Sequence, residues 1–248
     1  IHLHLDLIAG LPMEDYASFE KSFDYVYKLK PDQLQLGFLK VLKGSCMEQD
    51  SSRYGIVYRD EPPYEVLFTD WLSYDEMLKL KGICEMVEVY YNSGQFKYSI
   101  MFLEHFYNSS MKLYEDLYAF YERKGLFDFQ HSRLKRYEIL LDFLKEQVLK
   151  SYKSDNISLL ADLFKELLIF DLCLRENLRS RPCFYTEGRN KDELRKLYES
   201  YRDKGKFIQI EIFDFDLIKS AVTGKPVLKT QAVVFDYGKR DPINKSAE

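Results

Sequence analysis

The stretch His4-Leu5-Asp6-Leu7-Ile8-Ala9-Gly10-Leu11-Pro12 constrains the fold of this chain more than any other. Residues 1–12 alternate: Ile1, Leu3, Leu5 and Leu7 share one face, and His2, His4, Asp6, Ile8 and Gly10 the other, the period of a β-strand. Behind Pro12, Tyr16, Phe19, Phe23, Val26 and Tyr27 recur at helical spacing between Glu14 and Leu29, which predicts an amphipathic helix. Pro31-Asp32 ends it, and Leu34 to Leu42 reads as a second strand. Strand, helix and strand make a βαβ unit, with parallel strands and a right-handed crossover. A strand rich in Leu and Ile needs neighbours to satisfy its backbone and cover its faces. The unit is therefore expected to be the end of a larger sheet, and the chain a fragment of a longer protein.

From Lys43 the texture changes. Lys43-Gly44-Ser45 through Pro62-Pro63, rich in turn residues, reads as a linker. Helical patterning then dominates: Leu72 to Tyr91, stopped by Asn92-Ser93-Gly94 as a left-handed C-cap, then Phe96 to Tyr107, Met111 to Arg123, Ser132 to Ser151, Ile157 to Arg175 and Asp192 to Tyr201. Asp155 or Asn156 is the expected cap of the fifth of these. Phe207 to Phe213 and Ala232 to Tyr237 read as strands, separated by the turn cluster Thr223-Gly224-Lys225-Pro226 and expected to pair as an antiparallel ribbon. The expected fold is mixed and predominantly α. Residues 1–45 are the βαβ remnant of an α/β barrel, 46–70 a linker, and 71–248 a helical domain ending in a β-ribbon over 206–248.

Composition excludes several functions. The 40 acidic residues outnumber the 36 Lys and Arg, for a net charge of −4, which gives no electrostatic drive toward nucleic acid. No apolar run approaches the roughly 20 residues that cross a bilayer, and no signal-peptide pattern is present, so a soluble cytoplasmic protein is expected, with no membrane partner. The 20 Tyr and 18 Phe are expected to fill helix interfaces. Cys46, Cys84, Cys173 and Cys183 match no zinc, iron–sulfur or redox spacing and read as free buried thiols.

No GxSxG, HExxH, P-loop or GxGxxG occurs. His2, His4 and Asp6 project to one face, where they can meet a metal ion or line a polar interior; the second reading is preferred, and no metal site is assigned. His105 and His131 read as packing or surface residues, Asp214 and Asp216 as solvated, and Lys239-Arg240-Asp241-Pro242 as an ion-paired turn. The best-placed candidate site is Gly10-Leu11-Pro12, because ligands of parallel α/β sheets bind at the carboxyl ends of strands.

The run His4 to Pro12, a helix, and Leu29-Lys30-Pro31-Asp32-Gln33-Leu34-Gln35-Leu36-Gly37-Phe38-Leu39 resemble the fifth strand, helix and sixth strand of the partial (βα)6 barrel of radical S-adenosylmethionine enzymes. The continuation FLKVLKGSCM and YGIVYRDEPPYEVLFTDWLSY, with the tail FDYGKRDPINKSA, resembles the cobalamin-binding branch with an appended C-terminal domain of unknown function. That branch is often described as the anaerobic Mg-protoporphyrin IX monomethyl ester oxidative cyclase. The resemblance covers essentially the whole chain and is strongest over 3–75. It implies an oxidoreductase whose full-length form uses a [4Fe-4S] cluster, S-adenosylmethionine and cobalamin on an unknown small-molecule substrate. The cluster's C-x3-C-x2-C ligands and the cobalamin domain would lie upstream of Ile1. The resemblance therefore implies that this fragment alone holds no cofactor and is inactive, and that the remaining domains of the same protein are its partners.

Carried over residue by residue, Ile8 and Gly10 match the central I-x-G of the family's G-x-I-x-G-x-x-E motif, which packs on the cofactor's adenine; Leu11 follows in the same turn. Asp6 replaces the leading Gly and Met13 takes the final acidic position, with Glu14 one residue later. Gln35, Gly37 and Leu39 alternate together on the sixth strand, and the resemblance places Gln35 and Leu39 beside the cofactor. The alternative from another class is a helical binding or oligomerisation module, motivated by the aromatic-rich stretch 72–202 without a catalytic motif.

Overall fold

The computed structural model describes residues 2–151, 156–178, 181–185, 191–201, 207–240 and 247. The chain divides into two compact units, Ile1–Ser93 with Tyr107–Gly125, and Gly94–Phe106 with Leu126–Glu248.

The first unit opens with β1 (His4–Ala9), α1 (Tyr16–Lys28) and β2 (Gln33–Phe38). β1 and β2 are parallel, in a register that runs from His4 opposite Gln33 to Ala9 opposite Phe38. Asp15 caps α1, its carboxylate accepting from the Ser18 N–H at 2.8 Å, the usual remedy for an orphan first-turn donor. Phe19, Phe23 and Tyr27, four residues apart, are buried along one face of α1.

Residues 46–70, expected as a linker, are structured. They hold α2 (Cys46–Gln49) and the antiparallel pair β3 (Val57–Tyr58) and β4 (Val66–Phe68), with Ile56 and Val66 buried. α3 (Tyr74–Val87) follows, started by a capping box between Ser73 and Glu76 and continued through one wide turn over Glu88–Asn92. Gly94 takes the left-handed conformation expected at this stop, with φ +62°.

α5 (Ser110–Arg123) returns to pack against α1 and α3, and follows α4 (Lys97–Glu104) of the second unit in sequence. Two buried tyrosine pairs tie the helices, Tyr27 to Tyr114 at 2.8 Å between hydroxyls and Tyr90 to Tyr121 at 2.7 Å. The aromatic excess fills these helix interfaces, with the hydroxyls hydrogen-bonded where burial would otherwise strand them.

In the second unit, α4, α6 (Arg133–Phe143), α10 (Leu217–Thr223) and β5 (Ile208–Phe215) contact the central α8 (Ile157–Arg175). α7 (Leu149–Ser151) precedes α8, and α9 (Lys191–Ser200) lies against β5. The expected helix over 132–151 is interrupted by a wide turn at Leu144–Val148. The expected ribbon forms: β5 pairs antiparallel with β6 (Leu228–Asp236), but the connection carries α10, which the turn-rich sequence hid. Asp216, expected to be solvated, caps α10 by accepting from the Lys219 N–H at 3.2 Å. Asn156 makes no side-chain cap to α8, and Asp155 lies outside the described residues. Phe170 anchors the core, its ring meeting those of Tyr98, Phe213 and Phe235 at centroid distances of 5.1, 5.9 and 5.7 Å. The predominantly α expectation holds, and β1 with β2 is the extent of parallel sheet among the described residues.

Candidate functional site

The two faces of the β1–β2 pair differ. Ala9, Leu34 and Leu36 are buried on the face toward the helices, whereas His4, Asp6, Ile8 and Gln35 are exposed on the other. Parallel sheets are ordinarily covered on both faces, so a 46% exposed Ile8 within such a ladder marks a surface made for something else.

The two edges differ as well. The carbonyls of Leu3 and Ala9 accept from Gln33 at the start of β2 and from Leu39 just past its end, which fixes the odd-numbered residues of β1 as those facing β2. The backbone groups of His4, Asp6 and Ile8 therefore point to the outer edge, where no described residue pairs with them. The outer edge of β2 is occupied. The Asn92 side chain accepts from the Leu34 N–H and donates to the Leu34 carbonyl, both at 2.9 Å, as a neighbouring strand would. Further along, the Cys84 thiol meets the Leu36 carbonyl at 3.5 Å, and the Val66 N–H donates to Leu39 at 2.9 Å. We expect Asn92→Ala to open this edge: the Leu34 amide should exchange faster with solvent, with roughly 1–3 kcal/mol of stability lost. Hydrogen exchange read at Leu34 checks this.

The sequence-derived site residues separate into two groups. Ile8, Gly10, Leu11 and Leu39 cluster at the carboxyl end of the strands. Ile8 stands opposite Gly37 in register, and Leu11 is 37% exposed. Gly10 is required by its backbone, with φ +89°. A Cβ there would meet Met77, Val66 and Leu39 only at ordinary contact distances of 3.4–3.6 Å, so the conformation and not lack of space calls for glycine. Gln35 stands opposite Asp6, away from this end.

There the His4 Nε2 lies 3.1 Å from Asp6 Oδ1 and 3.2 Å from Gln35 Oε1. His2 turns instead toward Asp32, at 3.6 Å. Sequence reasoning placed His2, His4 and Asp6 on one face but missed Asp32 and Asn92, whose roles depend on pairing that no local pattern encodes. Among the described residues, no three His, Cys, Asp or Glu side chains gather as a metal site. Nor is any helix there long and apolar enough to cross a membrane.

The cysteines are unpaired, as expected, but only Cys173 is buried; Cys46 and Cys183 are exposed. Cys46 opens the short α2 on a surface turn, which explains its exposure. His105 and His131 each meet a backbone carbonyl through Nε2, His105 that of the distant Ala221 on α10 at 3.0 Å and His131 that of the nearby Leu126 at 2.7 Å. Asp241 and Pro242 of the expected ion-paired turn lie outside the described residues.

The second unit buries carboxylates. Asp171 on α8 accepts from the backbone N–H groups of Tyr98 and Ser99 at 3.0 and 2.8 Å and from the Ser99 hydroxyl at 2.7 Å. Both oxygens of Glu166 receive the Asp214 N–H, at 3.2 and 3.0 Å. Glu211 accepts from Tyr185 and Gln209 at 2.6 and 2.7 Å. These carboxylates are spent on holding helices and strands. Burial pushes Asp171 up to about 7, against its three donors and Lys97; burial does the same to Glu166, up to about 7, with Asp214 and Asp162 adding repulsion.

A folded-state value above the ordinary one of about 4 means that the folded chain keeps protons the unfolded chain has released. Their contribution is full below about pH 4 and lost as pH rises through about 7. Stability, followed by denaturant melts, is therefore expected to fall between about pH 4 and 7 and to level off above. The fall should be reduced in the Glu166→Gln/Asp171→Asn variant, whose amides do not titrate.

Comparison with curated proteins finds none that matches this sequence. A family model matches residues 52–215, spanning β3 through β5 and about two thirds of the chain. The chain belongs to that family, DUF4080, described as a protein of unknown function.

Proposed function

We propose that this chain is the C-terminal part of a radical S-adenosylmethionine oxidoreductase of the cobalamin-binding branch, with β1 and β2 as the last two strands of its barrel. The observation that carries the reading is the edge asymmetry of the parallel pair. The outer edge of β2 is occupied by Asn92 and Cys84, with Val66 bonded just past its end, as suits a terminal strand, while that of β1 is open for a further strand. The exposed row of Ile8, Asp6, His4 and Gln35 would then face the interior of the completed sheet. The resemblance of residues 3–75 to that family supports the same reading, and so does the placement of the DUF4080 domain directly after the strands.

The residues fit an adenine ring at the carboxyl end of β1. Ile8 offers an exposed aliphatic surface, and the Gly10 turn brings backbone polar groups beside it. They do not fit an iron–sulfur cluster, because no three cysteines among the described residues come together. The reading assigns the cluster to another part of the protein. S-adenosylmethionine, bound to such a cluster, supplies a 5′-deoxyadenosyl radical; the part of this chain is to seat and orient the nucleoside.

In the intact, cluster-reconstituted protein, cofactor cleavage is expected, and Ile8→Asp should weaken S-adenosylmethionine binding severalfold without lowering iron content. The 248-residue chain by itself should cleave none. Stoichiometric iron, sulfide and cofactor cleavage in this chain alone would sink the reading, as would an intact protein that neither binds nor cleaves the cofactor.

A further inference from the structure

A second polar group stands on the uncovered face of β1, apart from the Gly10 turn. His4 and Gly10 are six residues apart, or about 20 Å along an extended strand, so one small ligand group does not touch both. The His4 Nε2 approaches two oxygens at once, Asp6 Oδ1 at 3.1 Å and Gln35 Oε1 at 3.2 Å. Both accept, so the hydrogen of a neutral imidazole sits on Nε2 and the lone pair on Nδ1. No described residue lies within hydrogen-bond distance of that Nδ1. A carboxylate that fixes the tautomer of an imidazole, with the opposite nitrogen free, is the base-and-orienter half of a proton-transfer site. Cross-strand pairing brings it about: Asp6 is opposite Gln35 in register, and His4 one pleat away on the same face.

We propose that His4 is a proton acceptor for a ligand bound on this face, with Asp6 and Gln35 as its positioning residues. The ligand carries an acidic O–H or N–H; that bond breaks as the Nδ1–H bond forms, the electron pair stays on the ligand oxygen or nitrogen, and the Asp6 carboxylate offsets the imidazolium charge. Asp6 is the carboxylate of this face, which favours a neutral or cationic ligand over an anion. The inference rests on the proposed reading in one respect, that the face is enclosed in the intact protein.

Two measurements separate the claims. In the full 248-residue chain with 15N-labelled histidine, the two-bond proton–nitrogen spectrum should show His4 predominantly as the Nε2–H tautomer. Asp6→Ala should relax that bias to the weaker one of a free imidazole while leaving the His105 signals in place. A His4 that carries its proton on Nδ1, or is unmoved by Asp6→Ala, overturns the proposal. In the intact protein, acylation by diethylpyrocarbonate, read by peptide mass spectrometry, should be severalfold slower at His4 than in the 248-residue chain. Protection with no tautomer bias sinks the proton acceptor and leaves the barrel reading standing. Bias with no protection sinks the barrel reading, and with it a ligand-facing role for His4.

Discussion

Asp171→Ala is expected to cost about 3–5 kcal/mol, the loss of a buried acceptor with several donors aimed at it. α4 begins at Lys97 after Phe96, which provides no side-chain cap, and its first turn holds no acidic residue. The Asp171 carboxylate, 2% exposed on α8, takes that place, accepting from the second and third residues of the helix. Without it two N–H groups at the start of the helix are stranded away from water. Urea melts of wild type and variant provide the measurement. A loss under 1 kcal/mol would mean that water reaches these donors and that the carboxylate is no tertiary cap. Serine at position 99 completes the arrangement through its hydroxyl, at 2.7 Å from the same oxygen. Ser99→Ala should cost less, because it removes a donor and leaves the two backbone bonds in place.

Gly82→Ala is expected to destabilise the first unit by about 2 kcal/mol, against the usual gain of about 1 kcal/mol when alanine replaces a mid-helix glycine. Gly82 lies within α3 where α5 crosses it, and a Cβ there would fall inside the ring of Tyr118, closer than any non-bonded carbon pair. The ring is planar and held at its hydroxyl by Glu122, so it yields only by leaving its rotamer or by spreading the helices. The double variant Gly82→Ala/Tyr118→Ala separates the two terms. If the clash dominates, the two losses are strongly non-additive, because Tyr118→Ala removes the obstacle. A stabilised or neutral Gly82→Ala would show that the ring swings aside freely.

Local patterns made the long helices and the βαβ unit legible. Tyr16, Phe19, Phe23 and Tyr27 announce α1, and the alternation around His4 and Asp6 separates an exposed from a buried face. Residues 46–70 were opaque for the opposite reason. Their glycines and prolines signal turns, while β3 and β4 are too short to show a period, and their order comes from bonds such as Val41 N–H to Tyr64 at 2.9 Å. α10 was hidden likewise, being seven residues beside a turn cluster.

At the candidate site the strand residues were readable, since alternation assigns faces. Partners distant in sequence were not: Asn92 lies 58 residues from Leu34, and nothing local to an Asn-Ser-Gly stop distinguishes a helix end from an edge guard. Asp171 did leave a signal, as the single charge within Leu167-Leu168-Ile169-Phe170-Asp171-Leu172-Cys173. A charge inside such an apolar run needs a buried partner.

The amide of Asn92 also sets a limit on self-association. A protein with two free strand edges can polymerise without end, each copy templating the next, as in amyloid and sheet fibrils. Here the Asn92 amide already occupies the backbone of Leu34, so within this parallel pair a newcomer strand is offered the β1 edge and not that of β2 at Leu34. Two such pairs joined β1 to β1 about a twofold axis would present the Asn92-guarded strand at both ends of the merged sheet, and growth of that sheet halts there. A single amide side chain thus leaves this sheet able to pair but unable to propagate from both sides.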